Sequence, residues 1–155
     1  GMEKNKIRIL YVDDEVNNLK AFKATFRRDY KIFLADSADE GRDILLQEDI
    51  DIIITDQRMP KENGVDFLES IIPMHPDPMR ILLTGYTDIQ AVIDAINKGK
   101  VYHYLTKPWE EDYLRTVVKN AFEVFSLRKE NKQLTDSLLK ANDQLEFLLR
   151  QNLLS

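Results

Sequence analysis

Five short apolar runs separated by amphipathic stretches constrain this chain more than any other feature. The runs are Ile7–Val12 (IRILYV), Lys31–Ala35 (KIFLA), Ile50–Thr55 (IDIIIT), Met79–Thr84 (MRILLT) and Val101–Leu105 (VYHYL). None alternates cleanly between apolar and polar residues, as a strand with one wet face would. Near-continuous apolar strands belong in a parallel sheet covered on both sides. The stretches between them carry helical periodicity, and parallel neighbours joined through one helix cross over in the right-handed sense. The expected fold is α/β, an open five-stranded parallel sheet, doubly wound, with ligands bound at the carboxyl ends of the strands.

The intervening helices announce their own boundaries. Val16, Leu19, Phe22, Lys23 and Phe26 recur at three or four residues. Ala38, Gly41 and Leu45 follow Ser37-x-x-Glu40, a capping box, and Val65, Leu68, Ile71 and Ile72 follow the Asn63-Gly64 turn. Ile89, Val92, Ile93 and Ile96 follow a second capping box, Thr87-x-x-Gln90, and stop at Gly99.

Chemistry gathers where the strands end. The first run leads into Asp13-Asp14, the third into Asp56, the fourth into Thr84-Gly85 and the fifth into Lys107-Pro108. In a doubly wound sheet these points face one crevice. Carboxylates converging there without partners repel one another in a partly buried setting, and a hard divalent cation relieves that repulsion. Mg²⁺ takes oxygen ligands and keeps several waters. A lysine and a hydroxyl on the far side would meet the oxygens of a phosphoryl group. The set therefore reads as carboxylates for metal, one aspartate as acceptor, and Thr84 and Lys107 for phosphoryl oxygens.

These segments, YVDDE, TDQRMPKENG, LLTGYTD and YLTKPW, resemble the response-regulator receiver domain, the CheY-like fold, in order and spacing. The resemblance runs from about Lys6 to Ser126. It implies that Asp56 is the phosphoacceptor, that Asp13 and Asp14 hold Mg²⁺ (one directly, one largely through water), and that the Arg58 backbone carbonyl joins Asp56 among the metal ligands. It further implies Thr84 as the switch hydroxyl, Tyr104 as the switch aromatic and Lys107 as the phosphate-pairing lysine, with a cis peptide before Pro108. The implied partners are a histidine kinase or phosphotransfer protein and a downstream output domain or protein, and the implied output surface is the fourth helix, fifth strand and fifth helix. Arg58 and Tyr86, two residues beyond Asp56 and Thr84, are both large and would flank the path of the hydrolytic water, slowing phosphoryl loss. The alternative weighed is a Mg²⁺-dependent aspartyl-phosphate phosphohydrolase of the haloacid-dehalogenase type. That chemistry needs a carboxylate two residues after the nucleophile, where this chain has Arg58. A flavodoxin-like nucleotide binder would need a phosphate loop after the first strand, where Asp13-Asp14-Glu15 stands.

Composition excludes other classes. With 22 Lys+Arg and 27 Asp+Glu the net charge is −5, and neither the part up to Pro108 (−4) nor the rest (−1) has the basic surplus of a nucleic-acid binder. No cysteine is present, which removes disulfides and thiolate metal sites and suits a reducing, cytoplasmic setting. No apolar run approaches the length of a membrane span. His75 and His103 lack ligand spacing and read as surface or packing residues, and Trp109 reads as packing over the last strand–helix junction.

The final segment has no punctuation. The last glycine is Gly99 and the last proline Pro108. From Val124 the apolar residues fall into heptads, with Val124, Asn131, Leu138, Leu145 and Asn152 at a and Leu127, Leu134, Ala141 and Leu148 at d. Asn131 at an a position favours a two-stranded pair in fixed register, and Glu123 and Arg128 are placed for an interhelical ion pair if the helices are parallel. The expected organisation is an N-terminal arm or tag (1–5), a receiver domain (6–126) and a coiled-coil signalling helix (127–155) that forms a homodimer and leads to an output domain. Gly1 before Met2 reads as an expression remnant, and an ending in uncapped apolar residues is expected of a chain that naturally continues.

Overall fold

The computed structural model describes residues 5–154, with the side chain of Tyr86 also outside the described set. The expected N-terminal arm therefore lies, apart from Asn5, outside the described residues.

Five parallel strands, β1 (Arg8–Val12), β2 (Lys31–Ala35), β3 (Ile52–Asp56), β4 (Met79–Thr84) and β5 (His103–Thr106), form one sheet in the order β2-β1-β3-β4-β5. The helices are α1 (Val16–Phe26), α2 (Ala38–Gln47), α3 (Gly64–Ile71), α4 (Ile89–Asn97) and α5 (Glu111–Leu154). The doubly wound five-stranded parallel fold is as expected. Because side chains alternate across a strand, each apolar run feeds two cores. Ile9, Tyr11, Ile52, Ile54, Ile81 and Leu83 pack under α1 and α5 with Phe22, Phe26, Leu114 and Val118. Leu10, Val12, Ile53 and Leu82 pack under α2, α3 and α4 with Phe67, Leu68 and Val92. This is why the runs show no polar alternation.

Local chemistry sets the ends. Ser37 Oγ accepts the Glu40 N–H at 3.1 Å and Asn63 Oδ1 accepts the Asp66 N–H at 2.8 Å, capping α2 and α3. The second capping box does not form. Tyr86–Asp88 is a 3₁₀ turn ahead of α4, and α4 has no side-chain cap. The Thr87 hydroxyl instead accepts a hydrogen bond from Arg58, and Gln90 Nε2 donates to Asp94 at 3.2 Å. Gly99, at φ +73°, ends α4 in the left-handed region that a side chain disfavours. The Lys100 N–H still reaches back to the Ala95 carbonyl at 2.9 Å, so β5 begins two residues later than the apolar run does.

Helix α5 runs for 44 residues, about 66 Å at 1.5 Å per residue. Leu114, Val117, Val118 and Ala121 are buried against the sheet, and Phe122, Val124 and Phe125 still pack on the same core. The first a position of the heptad pattern thus rests on the chain's own domain. Leu127, Leu134, Leu138, Leu145 and Leu148 are all more than half exposed. No helix among the described residues is long and apolar enough to cross a membrane.

Candidate functional site

The strand order puts a break in winding between β1 and β3, and the chemistry lies at that break. Val12 pairs with Thr55, so Asp13 and Asp56 emerge side by side. Asp56 is the last residue of β3 and pairs with Leu83, one residue before Thr84. Thr84 pairs with Thr106, and the Lys107 N–H donates to the Thr84 carbonyl at 2.9 Å. The register alone brings Asp13, Asp56, Thr84 and Lys107 to one crevice. Oxygens of Asp13, Asp14 and Asp56 lie within 4.8 Å of one another, and this is the cluster among the described residues that could hold a metal. Asp13 and Asp56 are buried, whereas Asp14 reaches solvent.

Each carboxylate is held differently. Asp13 accepts the Tyr11 hydroxyl at 3.0 Å, the Glu15 N–H at 3.0 Å and the Asn18 amide at 3.1 Å. Tyr11 is itself fixed by stacking on Phe22, with centroids 4.1 Å apart and planes within 2°. Burial, and then the negative charge of Asp13, push the Tyr11 hydroxyl pKa far above its ordinary value, so Tyr11 is a permanent donor. Asp56 pairs with Lys107 Nζ at 2.5 Å. Burial raises the Asp56 pKa most, the Lys107 ammonium opposes it, and Asp13 and Asp14 raise it again. The net direction is upward, so the Lys107 ammonium does not offset burial together with the smaller contribution of the two neighbouring carboxylates. Among the described residues Asp13 and Asp14 form no ion pair with a side-chain cation. A crowded all-oxygen donor set of this kind fits a hard divalent cation.

The backbone around Asp56 is braced from below. The Gln57 N–H donates to the Leu83 carbonyl at 2.9 Å, its Oε1 accepts the Val65 N–H at 2.9 Å, and its carbonyl accepts the Gly64 N–H at 3.0 Å. A Cβ on Gly64 would overlap the Asp56 carbonyl oxygen and come within 2.8 Å of Leu82 Cδ1, so only glycine lets α3 begin here. Lys61 sits at φ +69° in the loop between β3 and α3. Arg42 reaches that loop from α2 through Glu62, donates to Ser70 at 2.8 Å, and lies 5.5 Å from the Phe67 ring centre.

The remaining expected residues fall around this centre. Thr84 is buried, and its hydroxyl donates to the Gly85 carbonyl at 3.2 Å. Tyr104 is half-buried against the core under α2–α4. Lys107-Pro108 is cis. Trp109 packs over the junction as expected, 5.2 Å from Phe26 and 6.2 Å from Phe22 between ring centres. His103 Nε2 lies 3.2 Å from the Tyr113 hydroxyl, and neither histidine joins the acidic cluster. Arg58 is not a free loop cation. Its Nε donates to Asp88 Oδ2 at 2.7 Å and its Nη2 to Thr87 Oγ1 at 3.1 Å, which spans the loops that follow Asp56 and Thr84. The Tyr86 side chain, paired with Arg58 in the sequence reading, lies outside the described residues.

Sequence reasoning missed Tyr11, Asn18, Gln57 and Asp88. Tyr11 carried a usable signal, because it shares a strand face with Asp13 two residues on. The partner of Arg58 is thirty residues away and had none.

A family model of the response regulator receiver domain matches residues 9–119. The chain is 37% identical over 124 residues to the hydrogenase transcriptional regulatory protein HoxA of Bradyrhizobium diazoefficiens, covering 80% of this chain and 26% of that protein. It is 33% identical over 154 residues to the HoxA of Cupriavidus necator, covering 99% and 32%. The chain thus spans about a quarter to a third of the length of these curated relatives. A solved response regulator receiver domain protein from Clostridium thermocellum superposes with a TM-score of 0.74 at 34% identity, covering 78% of this chain and 98% of that one.

Proposed function

The chain belongs to the response regulator receiver domain family, and from that premise we propose that Asp56 accepts a phosphoryl group from a phosphohistidine. By family it is a regulatory module and not a catalytic enzyme, and the haloacid-dehalogenase alternative finds no support in these relatives. The observation that carries the reading is the convergence of Asp13, Asp14 and Asp56 on one point, with Lys107 paired to Asp56.

In the proposed step an Asp56 oxygen attacks phosphorus as the phosphorus–nitrogen bond to the donor imidazole breaks. The O–P bond forms, and the imidazole leaves with the bonding pair and regains a proton. Asp13, Asp14, Asp56 and the Arg58 backbone carbonyl would hold Mg²⁺. When bound, that ion offsets the negative charge that gathers on the transferring group. Tyr11 and Asn18 hold the Asp13 carboxylate in place. Lys107 balances the Asp56 carboxylate before transfer and a phosphoryl oxygen after it. Thr84, whose hydroxyl now bonds its own loop, turns toward the phosphoryl group, and Tyr104 follows into the vacated space. That biases the surface of α4, β5 and α5.

The proposed organisation is a receiver over residues 6–126 and a signalling helix over 127–155. Exposed leucines at a and d positions support a parallel homodimeric coiled coil over the latter part. The proposed partners are a cytoplasmic histidine kinase or phosphotransfer protein and an output domain or protein. The net charge of −5 supports no direct nucleic-acid contact by this segment. Acetyl phosphate with Mg²⁺ tests the central claim by intact mass. The expected result is one added phosphoryl group in the wild type and none in Asp56→Asn. Modification that survives Asp56→Asn would overturn it.

A further inference from the structure

The mouth of the site carries a second cation, and it is tethered. Arg58 follows Asp56 by two residues, yet its guanidinium bonds to Asp88 and Thr87, which lie just beyond Thr84. The Nε bond to Asp88 Oδ2 is 2.7 Å, with Nη2 3.5 Å from Oδ1. Asp88 is the more enclosed partner, its side chain 24% exposed against 72% for Arg58. The carboxylate sits at the start of α4, and the arginine is the more solvent-exposed arm. Both cations at this end of the site have a carboxylate partner in this state: Lys107 has Asp56 and Arg58 has Asp88.

A phosphoryl group on Asp56 would place more negative charge near the base of the Arg58 arm than Asp88 carries at its tip. A planar guanidinium binds phosphoryl oxygens at least as well as a carboxylate, often through two parallel bonds. We propose that Asp88 is a positioning residue that holds Arg58 off the phosphorylation pocket, and that Arg58 transfers from Asp88 to the phosphoryl group once Asp56 is modified. The exchange has two consequences. It frees the Tyr86–Asp88 turn from the loop after β3, so the segment that carries Thr84 moves at lower cost. It also places a side chain over the phosphoryl group, where water must approach to hydrolyse it.

This rests on the reading of Asp56 as phosphoacceptor, and the experiment separates the two. The half-life of the aspartyl phosphate is measured after acetyl phosphate loading in the wild type, Asp88→Asn, Asp88→Glu, Arg58→Gln and the Arg58→Gln/Asp88→Asn double variant. Removing the competing carboxylate should lengthen the half-life about two- to five-fold, the range an exposed ion pair supplies. Asp88→Glu should restore the wild-type value, and Asp88→Asn should have no effect in the Arg58→Gln background. The Arg58 Nε–H resonance, assigned by Arg58→Lys, should shift on loading in the wild type, and should start away from its wild-type position in Asp88→Asn. Arg58 is exposed and Asp88 partly buried, so thermal melts of each variant confirm folding. If the wild type takes no phosphoryl group, the reading of Asp56 falls and the exchange falls with it. If the wild type is modified but Asp88→Asn leaves the half-life unchanged, or lengthens it equally without Arg58, the exchange alone is overturned.

Discussion

Gly64→Ala puts the packing around the phosphoacceptor to a quantitative test, because two effects of known size oppose each other there. Alanine at the first position of α3 should gain about 0.5–1 kcal/mol over glycine from backbone entropy. Against that, the new methyl meets the Asp56 carbonyl oxygen and Leu82 Cδ1, and the first of these is backbone that cannot rotate away. Overpacking of this kind costs about 1–3 kcal/mol. The clash should win by about 1–2 kcal/mol, a fall in Tm of about 3–6 °C for a chain of this size. Two other glycines serve as controls. A Cβ on Gly85 meets nothing within 4 Å, so Gly85→Ala should stay within about 0.5 kcal/mol of the wild type. Gly99 also has open space but sits at φ +73°, so Gly99→Ala should cost about 1–2 kcal/mol from conformation alone. Thermal melts followed by circular dichroism, with and without Mg²⁺, separate these mechanisms. Ligand binding to the folded state adds a stabilising increment. Gly99→Ala should keep that increment, while Gly64→Ala, having displaced the Asp56 backbone, should lose much of it. A Gly64→Ala protein that melts with the wild type and keeps its full Mg²⁺ shift would refute the packing argument.

Other outcomes follow from single contacts. Tyr11→Phe removes one of three donors to the buried Asp13 carboxylate and should destabilise the chelator-treated protein by about 1.5–3 kcal/mol in urea unfolding; unchanged stability would show that the hydroxyl bond is not formed in solution. Burial lowers the His103 pKa, so the folded chain binds that proton less readily than the unfolded one. Stability should therefore fall as pH drops from about 6.5 toward 5, and His103→Asn should flatten that part of the profile. Lys107→Gln removes a charge-assisted partner of Asp56 and should slow phosphorylation by acetyl phosphate about tenfold or more, read by mass against time. Replacing Leu134 and Leu145 with lysine should convert a dimer to a monomer in analytical ultracentrifugation, and equal masses would sink the coiled-coil proposal.

How much of this was legible beforehand depended on sequence distance. The strands were readable because both sheet faces are buried, so the runs in Ile7–Val12 and Ile50–Thr55 are apolar almost throughout. The convergence of Asp13, Asp56, Thr84 and Lys107 was readable because each residue sits at or just past the end of a strand, and parallel register does the rest. The capping box at Thr87 was misread because the Thr87 hydroxyl serves Arg58 from another loop, a competition no local pattern reveals. The heptad phase was misleading in its first turn for a similar reason. Val124 fits an a position equally well whether it faces a second helix or, as the structure has it, the sheet of its own domain.

That double use of α5 bears on how a signal could leave the domain. Below the sheet a cleft of about 380 Å³ lies between α5 and the loops at the amino ends of the strands. Arg128, Lys129 and Lys132 line it from the helix, and Glu48, Asp49, Asp51 and Asp77 from the domain. Burial raises the Asp51 pKa, and both Arg8 and Lys129 oppose that rise, so the helix cation is felt at the floor of the sheet. Arg128 Nη1 also lies 3.7 Å from Met79 Sδ at the start of β4, the strand that ends at Thr84. The helix is therefore packed on the domain by apolar contacts through Phe125, and for roughly two turns more its cations face the domain's acidic residues across the cleft. Beyond that its leucines are bare, and a helix gains most of its stability from packing. On the proposed signalling-helix reading, a packed base and an exposed end would let α5 act as a lever. A small change at β4 or the face under α5 would then be carried along the helix axis toward the proposed coiled-coil partner.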